Sequence, residues 1–406
     1  FVGARYAMNE LPQPSEYADR WILDPDVVFL NHGSFGAAPG AVLAAQARIR
    51  ESVEREPLQF FDHHYLDELD SARVTLADFI GAQPGDLAFV VNATTGVNTV
   101  LRSLQLGSGD ELLVTNHEYN ACRNALDAVA ESTGATVVEA EVPFPLQSGD
   151  EAVDAVVRRI SDRTRLLLID HVTSQTGVVL PLKRITDEAI SRGAEVLVDG
   201  AHAPGMVRLD LESLGATYYT GNCHKWMCAP KGAGFLYVRE DRQESVRPLV
   251  ISHGANAAAG DRSRFHLEHD WTGTRDPSAW LAVPSAISVM GSMLSGGWSE
   301  LRDRNRNLLL AGRRVVCEML EIEPPCPESM IGSLASVPLP DGKGEGIHEL
   351  FPFDALQKEL FTECRIEVPV IAWPARPKRL LRISAQLYNT LDQYLYLAQA
   401  LKKLLS

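Results

Sequence analysis

The sequence predicts an α/β protein whose main sheet is mostly parallel, and three observations support this. Short apolar runs of strand length alternate with amphipathic helical runs, which is the order that builds parallel sheets. One such run, residues 196–198, ends in the carboxylate of Asp199, as a buried strand does when it delivers a polar group to the ligand-binding edge of an open sheet. The length of 406 residues exceeds what one hydrophobic core usually supports, so a second domain is expected.

The elements of the large domain follow in order along the chain. Amphipathic runs between the strands predict helices that cover both faces of the sheet. The predicted strands are residues 87–91, 111–115, 136–139, 165–170, 195–198 and 216–220, followed by a glycine-rich return at 231–238, and two of the predicted helices are 96–105 and 150–160.

The pattern changes after about Pro284. A long helical stretch over residues 285–320 is followed by a proline-rich turn at 324–327, and a strand-helix-strand tail ends in a helix over 391–405. We therefore predict an N-terminal segment at 1–30, a large domain at 31–284 and a small α/β domain at 285–406.

Composition excludes several classes of partner. The formal charge of −15, from 38 basic and 53 acidic residues, argues against nucleic acids and anionic membrane surfaces, both of which attract basic patches. No apolar run approaches the roughly 20 residues of a membrane span. Residues 1–20 carry charges throughout, unlike a signal peptide, so we expect a cytoplasmic protein.

The six cysteines are scattered and lack the paired spacing of a zinc site, so we expect reduced thiols and no metal.

Two residues carry the predicted chemistry. Asp199 ends a strand, and Lys225 follows the next strand, so both can reach one pocket from neighbouring turns. A buried carboxylate can pair with a pyridinium nitrogen, and a lysine amine can form a Schiff base with an aldehyde. Taken singly, Asp199 is typical of a helix cap or loop anchor, and Lys225 is typical of a surface lysine.

The ordered set is more specific than either residue. Its members are, in order, Asp199 with His202, then His224 and Lys225, then the return at 231–238. The set resembles the aminotransferase class V family of fold type I pyridoxal phosphate enzymes. The resemblance covers nearly the whole chain. It implies a seven-stranded sheet in the large domain, pyridoxal 5′-phosphate as cofactor, an amino-acid-type substrate and a homodimer with the active site at its interface.

A cofactor phosphate should bind at residues 92–98, which follow a strand and open a helix whose first amides are free. The alternative is that Thr94 or Thr95 is only an N-cap. The resemblance also implies that the partner subunit contributes Thr274 from the loop 271–276. The phosphate-binding residues implied by the resemblance are Thr94, Thr95, Gly96, Asn222, His224 and Thr274.

The resemblance places a ring-stacking side chain just after the strand that ends at Thr115. Tyr119 takes that role by alignment, and His117 is the competing candidate. His202 stands where many relatives carry glutamine; either side chain can donate a hydrogen bond to the phenolate oxygen of the ring.

For the substrate, the resemblance assigns Arg382 to the α-carboxylate, which a guanidinium holds with two parallel bonds. The alternative is a strand-edge arginine in a surface ion pair. The glycine turn at 31–36, with Asn31 and His32, is folded back toward the active-site mouth in the family, although a purely structural turn explains it almost as well. His32 departs from the threonine expected there.

Four loops, at residues 30–36, 171–177, 271–276 and 365–370, together resemble the isopenicillin N epimerase-like branch of the family. The sequence thus favours epimerisation at Cα, with Lys225 serving one face of the substrate and Tyr119 as the candidate for the other.

That branch also holds C–S lyases, so β-elimination and transamination stay open as alternatives. A cysteine desulfurase is disfavoured because the loop 370–378 lacks the persulfide-forming cysteine. A non-catalytic binding scaffold is disfavoured because both Asp199 and Lys225 are present.

Overall fold

The computed structural model describes residues 10–258, 260–342 and 354–406, and is built around one seven-stranded sheet. The strands are β1 Val28–Phe29, β2 Leu87–Val90, β3 Glu111–Thr115, β4 Thr136–Ala140, β5 Thr164–Asp170, β6 Glu195–Gly200, β7 Tyr218–Asn222, β8 Gly234–Val238, β9 Leu334–Leu339, β10 Ile366–Glu367, β11 Val370–Ala372 and β12 Arg379–Ser384. The main sheet has the order β2-β8-β7-β6-β5-β3-β4. Only β8 runs against its neighbours β2 and β7, so the prediction of a mostly parallel sheet of seven strands is confirmed.

Helices cover both faces of this sheet. They are α1 His32–Phe35, α2 Gly40–Arg55, α3 Pro57–Gln59, α4 Tyr65–Ile80, α5 Ala93–Ser103, α6 Asn120–Thr133, α7 Gly149–Val157, α8 Leu182–Ser191, α9 Leu211–Leu214, α10 Arg264–Asp270, α11 Ser278–Leu281, α12 Val283–Gly291, α13 Gly297–Leu320, α14 Ala355–Cys364 and α15 Leu391–Leu405. Among the described residues, no helix combines the length and apolar character needed to cross a membrane.

The alternation of side chains along each strand divides the core into two layers. On β6, Val196 and Val198 belong to the layer that also contains residues of α4, α7 and α8, while Leu197 belongs to the layer formed with α5 and α6. Burial on both faces explains why β6 reads as a continuous apolar run in the sequence.

The register of the parallel strands brings polar groups together at one edge. Asp170 at the end of β5 pairs with Asp199 on β6, and Asp199 pairs with Thr220 on β7. Because the carboxyl ends of parallel strands meet at the same edge, the turns after β5, β6 and β7 surround one location.

The C-terminal part of the chain forms a second sheet with the order β11-β12-β9, which is antiparallel throughout and contacts α13. The N-terminal segment joins this part of the molecule because β1 pairs in parallel with β10. The predicted domain limits at residues 30 and 284 stay a prediction.

One sequence-based expectation for this part was wrong. The helical stretch at 285–320 is two helices, α12 and α13, and Gly297 adopts a φ of +63° at the break. Glycine adopts this left-handed conformation without a steric cost, so the chain turns there. Farther along the chain, β10 and β11 are separated at Pro369, which has no N–H to donate to a neighbouring strand.

Candidate active site

Asp199 lies at the centre of the sheet edge, buried near the end of β6. Its Oδ1 accepts a hydrogen bond from the backbone N–H of Ala201 at 2.9 Å, and its Oδ2 accepts one from the thiol of Cys122 at 3.0 Å. Burial raises the pKa of Asp199, whereas these two bonds and the charge of Lys225 lower it. A carboxylate in this environment calls for a cationic partner.

Lys225 faces Asp199 from the turn between β7 and β8. Burial lowers the pKa of its amine to about 7; the charge of Arg382 acts in the same direction, and Asp199 acts against it. A substantial fraction of the amine is therefore neutral near pH 7, and the neutral amine is the form that attacks a carbonyl carbon.

His202 connects Lys225 to the protein interior. Its Nε2 lies 3.0 Å from Lys225 Nζ, and its Nδ1 accepts a hydrogen bond from the indole N–H of Trp226 at 3.3 Å. Burial and the nearby charge of Lys225 hold the pKa of His202 well below its usual value, so the imidazole is neutral.

The predicted phosphate region is the N-terminus of α5. Asn92 is the N-cap, and its Oδ1 accepts from the backbone N–H and the hydroxyl of Thr95 at 2.8 and 3.0 Å. Asn222 at the end of β7 accepts from the N–H of Ala93 at 2.8 Å. A Cβ at Gly96 would lie 2.1 Å from Thr220 Oγ1, so glycine is required for α5 to approach β7 this closely.

The remaining residues predicted for the phosphate are placed differently. Thr94 lies in the first turn of α5, and His224 is partly buried with its Nδ1 3.0 Å from the carbonyl of Ala233. Thr274 is exposed on the loop at 271–277. In that loop, Arg275 stacks on Trp280 at 3.7 Å, and this indole donates to the carbonyl of Val90 at the end of β2.

Tyr119 is the N-cap of α6 and is 41 % exposed, in contrast to the buried groups around it. Burial and the charges of Cys122 and Asp199 raise its pKa, and Arg382 lowers it, so the phenol is protonated at neutral pH and lies within electrostatic reach of these groups. The competing candidate His117 is buried, with its two ring nitrogens 2.8 Å from Thr176 Oγ1 and 3.0 Å from the carbonyl of Val142.

Two further carboxyl groups surround Asp199. Burial raises the pKa of both Glu118 and Asp170 well above the usual range; Asp199 raises both pKa values further, and Glu118 also raises that of Asp170. Ligand atoms of Glu118, Cys122 and Asp199 lie within 4.8 Å of one another, which is a geometry that could hold a metal ion. Burial raises the pKa of Cys122 well above its usual value, so the sulfur is a thiol rather than the thiolate that metals bind.

Arg382 on β12 completes the site from the C-terminal sheet. Its guanidinium donates to the carbonyl of Ser174 at 2.7 Å and to the hydroxyl of Ser34 at 2.7 Å, while its buried Nε–H has no partner. Burial lowers its pKa to about 10, so it stays cationic at neutral pH. A buried cation with an unused donor is suited to bind a carboxylate.

Asn31 and His32 contribute indirectly. Asn31 Oδ1 accepts from the hydroxyl of Ser34 at 2.6 Å, and Ser34 in turn accepts from Arg382. Both nitrogens of His32 are occupied, with the Lys225 carbonyl 3.1 Å from Nε2 and the Tyr388 hydroxyl 2.8 Å from Nδ1. His32 therefore contacts the backbone of Lys225 and not its amine.

Sequence reasoning missed the residues that hold the predicted ones in place. Ser34 and Ser174 orient Arg382, Cys122 donates to Asp199, and Trp226 donates to His202. Both serines belong to loops that the sequence singles out, and Trp226 directly follows the lysine. The side-chain types alone carry no signal of these contacts, because serine and tryptophan are ordinary in turns and cores.

Comparison with known proteins agrees with this geometry. The aminotransferase class V family profile matches residues 46–295. The chain is 38 % identical to isopenicillin N epimerase of Amycolatopsis lactamdurans, over 94 % of this chain and 96 % of that protein. It is 31 % identical to a probable chloroplastic L-cysteine desulfhydrase of Arabidopsis thaliana, over 94 % of this chain and 83 % of that protein.

The chain belongs to the aminotransferase class V family. Its fold is type I, and its cofactor is pyridoxal 5′-phosphate. The cysteine desulfurase CsdA from Escherichia coli shares the fold with a TM-score of 0.76 at 21 % identity, over 99 % of both chains. A cystine C–S lyase, solved with its product cysteine persulfide, shares it with a TM-score of 0.75 at 22 % identity, over 93 % and 97 %.

The residues present fit this cofactor. The buried carboxylate of Asp199 matches a pyridinium nitrogen, the partly neutral amine of Lys225 matches an aldehyde, and the N-terminus of α5 matches a phosphate. The close approach of α5 to β7 at Gly96 brings these three features to one edge of the sheet.

Proposed function

We propose that this class V enzyme removes the proton from Cα of an amino acid or an amino-acid-bearing compound and returns it on the opposite face, as an epimerase. The observation that carries the proposal is the partly buried Lys225 amine, whose pKa of about 7 is lowered by burial and by the charge of Arg382 and raised by that of Asp199. A base with a pKa near the working pH is the most effective proton carrier.

Each residue has a defined task in this proposal. Pyridoxal phosphate, held by Lys225, Asp199, His202 and the α5 residues Thr94, Thr95 and Gly96, supplies an electron sink for the charge that develops at Cα. Arg382 holds the substrate carboxylate and so fixes which bond at Cα lies beside Lys225. Asn222 and His224 support the phosphate end of the site.

The second face needs its own proton carrier, and Tyr119 is the candidate. Its phenol is protonated and partly exposed, and it lies within electrostatic reach of Arg382. Because its phenol keeps a proton at neutral pH, Tyr119 would be able to supply that proton to Cα from the face opposite Lys225.

A β-eliminating C–S lyase is the second candidate, with transamination as a further alternative for the same Cα chemistry. Relatives named probable or putative L-cysteine desulfhydrases are 31 % identical over 94 % of this chain. The loop at 370–378 has no cysteine, which is compatible with a lyase that releases its sulfur product directly. Both lyase and epimerase begin with proton removal by Lys225 and differ only in the later steps.

We further propose a cytoplasmic homodimer in which Thr274 of one protomer reaches the cofactor phosphate of the other. The exposure of Thr274 on a loop packed beside the end of β2 supports this arrangement.

Incubation in heavy water separates the two reactions. An epimerase incorporates solvent deuterium at Cα with inversion and forms no pyruvate, whereas a lyase releases pyruvate in step with thiol from cysteine conjugates. We expect deuterium with inversion for at least one substrate of an amino-acid panel, measured by mass spectrometry and chiral chromatography. Stoichiometric pyruvate without inversion in any substrate would establish the lyase instead.

The variant Tyr119→Phe sharpens this experiment because it keeps the ring and removes only the hydroxyl. If Tyr119 carries the second proton, the variant exchanges Cα–H for deuterium with retention of configuration but no longer inverts it. Equal inversion by Tyr119→Phe and the parent enzyme would assign the second proton to another group.

A further inference from the structure

We infer that Trp226 is a positioning residue that fixes the tautomer of His202 and thereby keeps the Lys225 amine neutral. This inference rests on the proposed function in one respect: Lys225 is taken as the residue that bonds the cofactor. It assigns a task to a tryptophan that touches neither cofactor nor substrate in that proposal.

The direction of the Trp226 hydrogen bond decides the tautomer. An indole N–H only donates, and Trp226 Nε1 lies 3.3 Å from His202 Nδ1, so Nδ1 must present its lone pair. The neutral imidazole carries one proton, which is then on Nε2. Trp226 is itself buried, with its ring 4.9 Å from that of His32, so the donor is held in place.

The consequence appears at Lys225. His202 Nε2 lies 3.0 Å from Lys225 Nζ, so the Nε2–H points at the amine and is satisfied only by a nitrogen lone pair. A neutral amine offers that lone pair, and an ammonium group does not. With the opposite tautomer, Nε2 would accept from the ammonium group and favour the charged lysine.

Other charges also face Lys225. Arg382 favours the neutral amine, whereas Asp199, Asp170 and Cys122 favour the charged form. Within the part of the chain that the structure describes, none of these groups forms a hydrogen bond with Trp226, so changing the indole alters the His202 tautomer and leaves this set of charges intact.

The test compares Trp226→Phe with the parent protein, both stripped of cofactor. The first measurement is ¹⁵N NMR of His202, assigned by its loss in His202→Gln; the parent shows Nε2 protonated, and the variant shows a mixture or the other tautomer. The second is the rate at which added pyridoxal phosphate bonds to Lys225, followed by absorption as a function of pH. We expect the midpoint of this pH–rate profile to be about one pH unit higher in Trp226→Phe than in the parent. Below the midpoint, the variant should then bond the cofactor about tenfold more slowly.

Two controls make the result specific. Trp298→Phe also removes one indole hydrogen bond, the partly buried bond to the carbonyl of Ile287, and should leave the midpoint unchanged. In a His202→Ala background, Trp226→Phe should have no effect on the midpoint, because there is no imidazole whose tautomer the indole could fix. If Trp226→Phe does not fold, benzothienylalanine at position 226 removes the N–H and keeps the shape.

The outcomes are distinguishable. Unchanged NMR shifts, or an unchanged midpoint in the indole-free proteins, would overturn the role of Trp226. Failure of the parent protein to bond the cofactor at Lys225 would overturn the proposed function itself. An equal shift with and without His202 would show that Trp226 acts through packing, which also contradicts the inference.

Discussion

The chemistry of this site depends on where each side chain is buried as much as on its type. Lys225 is an ordinary lysine in sequence, but burial beside Arg382 lowers its pKa to about 7. Asp199 and Lys225 could be predicted because their order along the chain is informative. The contacts of Cys122 and Trp226 with the site could not, because those contacts depend on how the turns meet in space.

Arg382→Ala should separate substrate binding from cofactor binding. The loss of a buried, two-pronged charged contact costs about 2–4 kcal/mol, which lowers kcat/KM about 30- to 1,000-fold, mostly through KM. The visible absorption of the bound cofactor should be unchanged.

Arg379→Ala is the matched control on the same strand. Residues three apart on a strand point to opposite faces, and Arg379 bonds to Asp354 at 2.6 Å and to the carbonyl of Pro340 at 2.8 Å. Its loss should leave KM near the parent value. If both variants raised KM equally, the carboxylate would have to be assigned to a group other than Arg382.

At the scale of elements, the sequence predicted best those strands and helices whose apolar pattern is clearest. The strand at 111–115 and the helix at 391–405 match β3 and α15 residue for residue, because apolar patterns mark buried faces. The helix predicted to start at Gly96 begins at Ala93. Its cap is Asn92 rather than Thr94 or Thr95, and the polar residues 92–95 gave no apolar periodicity to mark the first turn.

Gly96→Ala should weaken cofactor binding through α5. The new Cβ would lie 2.1 Å from Thr220 Oγ1 and 2.7 Å from Thr220 Cβ, so the start of α5 must move away from β7. We expect a loss of about 1–3 kcal/mol in the free energy of unfolding and a weaker cofactor affinity. Chemical denaturation and equilibrium titration of the cofactor-free protein measure the two effects.

The control is Gly107→Ala, in the loop after α5. A Cβ there meets no atom within 4 Å, so its effect should stay within about 0.5 kcal/mol. If Gly96→Ala were as stable as Gly107→Ala and bound the cofactor as tightly, the close approach to Thr220 would be shown to be unnecessary.

At the scale of the molecule, periodicity predicted which strands exist but not their order in the sheet. The place of β8 between β2 and β7, antiparallel to both, rests on pairing between residues far apart in the chain. The second sheet likewise joins β9 to β12. The candidate site spans the large sheet and the C-terminal sheet, because Arg382 bonds to Ser174 and Ser34. Periodicity does not predict contacts between such distant parts of the chain, so the full set of site residues could be inferred only from a family resemblance.

The surface of the chain is consistent with the proposed homodimer. Leu249, Val250 and Ile251 are consecutive and are 44 %, 55 % and 58 % exposed. Three exposed apolar residues in sequence are costly in water, and a second copy of the chain is the partner that the proposal supplies. Sedimentation should then give twice the chain mass of 44.5 kDa.

A mixed dimer tests whether Thr274 acts across the interface. Lys225→Ala and Thr274→Ala chains, unfolded together and refolded, form hybrids in which one site combines the intact Lys225 of one chain with the intact Thr274 of the other. If Thr274 serves the partner's site, that site is complete, so the mixture regains turnover and cofactor affinity that neither parent variant has. If Thr274 serves its own chain, every site in the hybrid lacks one of the two residues and nothing is regained. The hybrid of Lys225→Ala with the unmodified chain, separated from both homodimers by a different tag on each chain, gives the reference level for one complete site. A Lys225→Ala and Thr274→Ala mixture no more active than its less impaired parent would rule out the intersubunit role.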